Sequence, residues 1–199
     1  MRNPPIILAS TSRYRRELLS RLGIAFEVAA PGVDETPVVG EAPRDTALRL
    51  AAAKARAVAA GRGEGLIIGS DQVAECDGEP VGKPGTHDRA VAQLERLAGR
   101  TVVFHTGVAL VNAATGRAQV AMVDVASTYR PLSVDEIEHY LRRETPYDCA
   151  GSVRSEGVGI ALFERIASDD PSALVGLPLI TVARMLREEG VDIIVAGGT

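Results

Sequence analysis

Three arginines crowd one short stretch, in which Arg13, Arg15 and Arg16 follow the polar run Ser10-Thr11-Ser12. A helix opening there would set cations against the positive end of its own dipole, where acids are favoured by about 0.3–1 kcal/mol each. A bound anion would resolve that conflict. A strand running into residues 10–12 and then into a helix aims free backbone N–H groups and hydroxyls at one point. That geometry cradles phosphate, and Arg15 or Arg16 would act as a clamp. A plainer arrangement fits the same residues: Ser12 caps the helix and the arginines are solvated. No Walker-type glycine pattern accompanies the run.

A second set is dispersed along the chain. Asp34 and Glu35 sit between Pro31 and Pro37, Lys54 lies in an Ala-rich segment, Asp71 follows an apolar run, and Lys83 stands in Gly82-Lys83-Pro84. Such types suit triphosphate chemistry: carboxylates hold a divalent cation, lysines neutralise phosphate oxygens, and one carboxylate orients or deprotonates an attacking water. Read singly, Asp34-Glu35 fits a solvated turn better than a site and Lys54 fits plain helix surface, whereas Asp71 at the end of a buried run points more directly to a site. His87, His105 and His139 are isolated in sequence and are assigned nothing. Cys76 and Cys149 have no paired spacing, which excludes a zinc motif or disulfide scaffold and fits a reducing compartment. Cys149 has no evident histidine partner, and Gly69-Ser70-Asp71-Gln72-Val73 is not a nucleophile elbow, so covalent catalysis by thiol or serine is unsupported. Asp169-Asp170-Pro171 reads as turn or helix-start chemistry.

Positioning these groups requires an alternation of strands and helices. Residues 6–9 read as a buried strand, 10–12 as a turn and 13–22 as a helix stopped by Gly23; 25–29 alternates like a strand. From Pro43 an Ala-rich helix closes on Gly61, and the apolar run 66–68 predicts a buried strand ending in the polar tip Gly69-Ser70-Asp71-Gln72. A turn-rich segment spans 78–85, and a helix over 87–97 precedes two β-prone runs, 101–111 and 118–129, that form a hairpin. Ser133 and Glu136 spell a capping box for a helix to about residue 143. Residues 160–163 predict a strand, and Leu177-Pro178-Leu179 leads into a last helix ending near Gly190. No internal repeat or long linker divides the 199 residues, so a single α/β domain over 1–199 is expected.

Bulk properties narrow the function classes. With 46% hydrophobic residues the chain has enough apolar material to fold, and a net charge of −4 argues against nucleic-acid or anionic-membrane partners. The apolar run at the N-terminus is too short for a signal peptide and no stretch is long enough to span a membrane, so a cytoplasmic protein is expected.

Taken together, four ordered segments resemble the Maf family of nucleoside triphosphate pyrophosphatases: residues 8–19 around Ser10-Thr11-Ser12-Arg13-Tyr14-Arg15-Arg16, Val33-Asp34-Glu35-Thr36-Pro37, Ile68-Gly69-Ser70-Asp71-Gln72-Val73 and Gly82-Lys83-Pro84. The resemblance extends through residues 149–160 and Leu174-Val175-Gly176-Leu177-Pro178-Leu179, essentially the whole chain. Within the family, the aromatic Tyr14, Asp71-Gln72 and Ser155-Glu156-Gly157 look like the branch acting on 7-methyl-GTP rather than on dTTP and UTP.

The resemblance implies a mixed, strongly twisted central sheet flanked by helices in one elongated domain, with two lobes around a cleft. It implies a hydrolase of phosphoanhydrides, active in nucleotide housecleaning, with Mg²⁺ or Mn²⁺ as cofactor. Asp71 would be the proton acceptor, and Tyr14, Gln72 and Glu156 the substrate-distinguishing positions. Ser10, Ser12, Arg15, Arg16, Lys54 and Lys83 would bind phosphate, and Glu35 with Asp71 would hold the metal. Arg13 departs from the family's usual proline and Tyr14 from its frequent tryptophan. The implied partner is a nucleoside triphosphate, and a homodimer is compatible with the chain. The rival readings are a non-catalytic nucleotide-binding regulator linked to septum formation, a pyrophosphatase preferring dTTP or UTP, and a nucleotidyl or phosphosugar transferase.

Overall fold

The computed structural model describes residues 4–196. A mixed sheet of seven strands organises them: β1 (Ile6–Ala9), β2 (Glu27–Ala29), β3 (Leu66–Cys76), β4 (Glu79–Val81), β5 (Thr101–Asn112), β6 (Ala118–Tyr129) and β7 (Phe163–Ala167). The order is β2-β1-β3-β5-β6-β7, with β4 paired to β3 off that path. Interspersed are α1 (Arg13–Ser20), α2 (Pro43–Ala59), α3 (His87–Leu97), α4 (Val134–Glu144), α5 (Leu179–Glu188) and α6 (Ile193–Ala196).

Most elements follow the local signals. Thr86 caps α3, and at Ser133 both arms of the capping box form. Two expectations fail instructively. The strand after the apolar run does not stop at residues 69–72 but runs on to Cys76, because Ser70, Asp71 and Gln72 continue the antiparallel ladder with Val108, Gly107 and Thr106 of β5. The polar side chains there meet partners on the faces of the sheet, Lys54 for Asp71 and the carbonyls of Ala173, Leu174 and Gly176 for Gln72 and Ser70, so they do not mark a strand end. Late in the chain, residues 158–162 form a 3₁₀ turn and the strand begins at Phe163. Two glycines, Gly157 and Gly159, pack where a Cβ would meet Glu144 and the Arg154 carbonyl, and that close approach bends the chain before pairing starts.

β3 is the axis of the molecule. Along one edge it pairs in parallel with β1 over Leu66 to Gly69, then antiparallel with β4 over Ala74 to Cys76. Between these, residues 70–73 have no strand on that edge among the described residues. This change of partner opens a crevice at the carboxyl end of β1, the place where open α/β sheets bind ligands.

The core divides accordingly. One cluster, with Leu94, Phe104, Tyr129 and Leu141, gathers α3 and α4 on the second half of β3; another, with Leu8, Leu18, Ile68 and Leu186, gathers α1 and α5 on its first half. A thin alanine-rich cluster, including Ala52, Ala55 and Ile67, seats α2 on the opposite face. No helix among the described residues is long and apolar enough to cross a membrane.

Candidate active site

Two glycines bring α2 against the sheet. A Cβ at Gly69 would lie 2.4 Å from the Ala51 carbonyl oxygen and 2.6 Å from the Ala55 nitrogen, and one at Gly107 would lie 2.5 Å from the Ala47 carbonyl oxygen. Asp71 projects from the same face two residues beyond Gly69, and Gly107 is its cross-strand partner. Lys54, one turn along α2, therefore drops onto the carboxylate. Its Nζ lies 2.6 Å from Asp71 Oδ1 and 2.8 Å from Glu35 Oε1. Lys54 and Asp71 are both buried, whereas the Glu35 side chain is 57% exposed on its loop. Deleting one partner of such a buried pair typically costs about 3–5 kcal/mol, because the other charge is stranded.

Across the crevice, α1 starts as its arginine-rich opening suggested. Ser12 caps it by accepting from the Arg15 amide, and Ser10 Oγ accepts from the Ser12 amide at 3.1 Å. Arg15 is not simply solvated: its Nε donates to the Gly176 carbonyl at 2.9 Å. Burial pulls its pKa down, and the Asp71 and Glu35 charges push the other way. Its guanidinium is half-buried, held by one nitrogen and set beside the two acids, with its other nitrogens able to meet an anion in the cleft. The same Gly176 carbonyl accepts from Ser70 Oγ at 2.9 Å. Gly176 has φ +108°, a conformation that strains any side chain, and it places this carbonyl between α1 and β3.

These groups line one cleft of about 1180 Å³, together with Tyr14, Gln72, Lys83 and Glu156. Lys83 and Glu156 stand exposed at its rim. Gln72 is half-committed: its Nε2 donates to the carbonyls of Ala173 at 2.8 Å and Leu174 at 3.2 Å, pinning the 3₁₀ turn Pro171–Val175 to β3. Of the residues expected at the site, Arg16 alone is not brought in; it is exposed on α1 outside the cleft lining, because it follows Arg15 by one residue and so faces about 100° away.

The sequence reading missed Asp148. Its carboxylate accepts from the Tyr14 hydroxyl at 3.3 and 3.4 Å and lines the cleft beside Cys149, whose thiol lies 3.6 Å from the same hydroxyl. Burial raises the Tyr14 phenol to about 12 and the Cys149 thiol to about 11, so both stay neutral near pH 7. The loop carrying Asp148 is anchored by the Tyr129 hydroxyl, which donates to the Gly151 carbonyl at 3.0 Å. Nothing in local spacing announces that contact, which joins residues 14 and 148. Glu41 was also overlooked. It accepts twice from Arg49 at 2.7 Å, which drives its pKa down to about 2, and once from Thr46, fastening the end of the acidic loop to α2.

Two carboxylates, a buried lysine, a half-buried arginine and a strand–turn–helix junction thus face one hollow on a mixed sheet. The family model for Maf-like protein matches residues 5–189, and this chain belongs to the Maf family. It is 57% identical over 187 residues to the 7-methyl-GTP pyrophosphatase of Cupriavidus metallidurans, covering 94% of each chain. It is 58% identical over 189 residues to the protein of the same name from Albidiferax ferrireducens, covering 95% of each. With that from Thiobacillus denitrificans the identity is 54% over 192 residues, 96% of each.

Proposed function

We propose that this protein hydrolyses the α–β phosphoanhydride of 7-methyl-GTP, releasing 7-methyl-GMP and pyrophosphate. The observation that carries the reading is the convergence of Asp71, Lys54, Glu35 and Arg15 on one cleft, in a chain that shares over half its residues with proteins named for that activity. In this account Asp71 is the general base. One of its oxygens is held by Lys54, which aims the carboxylate, while the other accepts the proton of the attacking water. Arg15, Lys54 and Lys83, with the Ser10 and Ser12 turn, take the charge that develops on phosphate oxygens.

The donor set suits a hard divalent cation. Lys54 Nζ bridges Glu35 Oε1 and Asp71 Oδ1, so the two carboxylates lie side by side in the cleft, while no third His, Cys, Asp or Glu joins them among the described residues. Mg²⁺ is often held in just this way, by one or two carboxylates with substrate phosphates completing its shell. Held by these carboxylates beside Lys54, such an ion would supply charge neutralisation at the phosphates. Tyr14 offers an aromatic face to the base and Glu156 a carboxylate at the rim, both favourable to the positive charge of 7-methylguanine. Gln72 acts on the base through the turn that it pins.

The test is a panel of 7-methyl-GTP, GTP, dTTP and UTP incubated with Mg²⁺, with pyrophosphate and monophosphate quantified. The expected result is equimolar release of both products, with the highest kcat/KM for 7-methyl-GTP. Highest turnover of dTTP or UTP, release of inorganic phosphate in place of pyrophosphate, or binding without release would each refute the proposal.

A further inference from the structure

Arg13 and Tyr14 are consecutive on α1, and consecutive helical residues do not ordinarily face one another. Here the Arg13 guanidinium folds back over its neighbour's ring, its central carbon 4.7 Å from the ring centroid. Its Nη2 donates to the Tyr14 hydroxyl at 2.6 Å and lies 3.8 Å from Asp148 Oδ2. The Tyr14 hydroxyl in turn donates to Asp148. An aromatic face and a carboxylate thus flank one cation, with the Arg13 and Asp148 side chains 60% and 59% exposed, and all three residues line the cleft. The chain's own arginine occupies the place between ring and carboxylate that another cation could take.

We propose that the Tyr14 ring and the Asp148 carboxylate form the subsite for a cationic nucleobase, and that Arg13 is its intrinsic competitor, displaced when substrate binds. The inference rests on the 7-methyl-GTP reading given above. Binding becomes an exchange of cations. A 7-methylguanine ring carries a delocalised positive charge, so it takes over both the stacking on Tyr14 and the pairing with Asp148 that Arg13 gives up. A neutral guanine can stack, but it leaves Asp148 without a counter-charge. Selectivity for the methylated base then comes from what the neutral base fails to replace, not from a contact to the methyl group. The neighbouring Cys149 thiol, kept neutral by burial, does not compete for the role of anion. Glu156 at the rim adds to the negative field that a cationic base meets.

The experiment uses the full chain and the product nucleotides 7-methyl-GMP and GMP, so that no turnover intervenes, with Kd read by titration calorimetry. Wild type is expected to prefer 7-methyl-GMP. Arg13→Ala should bind 7-methyl-GMP about two- to fivefold more tightly, the span of an exposed cation–π contact, while Arg13→Lys, which keeps the charge, stays near wild type. Asp148→Asn should weaken 7-methyl-GMP by a similar factor and leave GMP within about twofold. An Arg13→Ala protein that binds 7-methyl-GMP no more tightly than wild type overturns the competitor role. Equal weakening of both nucleotides by Asp148→Asn overturns the cation subsite. A wild type with no preference for 7-methyl-GMP defeats the 7-methyl-GTP reading itself, an outcome distinct from both.

Discussion

Replacing Gly69 with alanine tests how the fold sets the site. The added methyl would lie 2.4 Å from the Ala51 carbonyl oxygen and 2.6 Å from the Ala55 nitrogen, both backbone atoms of α2 that cannot rotate away. Relief to ordinary contact requires α2 to lift from β3 by about 1 Å. Overpacking of that kind costs about 1–3 kcal/mol. In a chain of this size each kcal/mol lowers Tm by roughly 2–4 °C, so a drop of about 2–12 °C is expected. The same lift carries Lys54 off Asp71, stretching a 2.6 Å contact beyond hydrogen-bond range. Misplacement on that scale can cost about 10²-fold in rate. The assays are thermal unfolding and pyrophosphate release from 7-methyl-GTP, with Gly63→Ala as control, because a Cβ there meets nothing within 4 Å. A Gly69→Ala protein that keeps both the wild-type Tm and the wild-type kcat/KM would refute the claim that α2 is seated through this glycine.

Two further outcomes follow from the site's supports. Gln72→Met removes a donor to the Ala173 and Leu174 carbonyls; Ala173 keeps the Thr106 hydroxyl and the Gly176 amide, but the Leu174 carbonyl loses its partner, and at about 1–3 kcal/mol for a group left unsatisfied Tm should fall measurably; an unchanged Tm would contradict the anchoring role. Glu41 has its folded pKa pulled down to about 2, chiefly by Arg49, so its contribution is present above the ordinary glutamate value near ~4.3 and is lost as pH falls toward 2. Accordingly, the urea midpoint of wild type should fall more between about pH 4.5 and 2.5 than that of Glu41→Gln, and parallel declines would contradict the assignment.

Local chemistry made much of this molecule legible. The capping box at Ser133, the glycine stops after α1 and α2, and the hairpin of β5 and β6 are all decided by neighbours in sequence, and they appear where those neighbours put them. So do Ser12 as a cap and Arg15 as a cleft residue. Lys54, which alone reads as helix surface, is buried against Asp71, and only the close approach at Gly69 and Gly107 explains why. The extension of β3 through Ser70 to Cys76 was hidden because its polar residues pair with β5 far along the chain. Asp148 lay hidden for the same reason: its partners Arg13 and Tyr14 are more than 130 residues away, and no periodicity links them. Arg16 shows the converse limit, since proximity to Arg15 in sequence puts it on the wrong side of the helix.

Substitution of Asp71 by asparagine addresses the central claim most directly, because it keeps shape and a partner for Lys54 while removing the base. Pyrophosphate release from 7-methyl-GTP by a cooperatively folded Asp71→Asn protein should fall by about 10²-fold or more. Turnover at the wild-type rate by that folded variant would contradict the account.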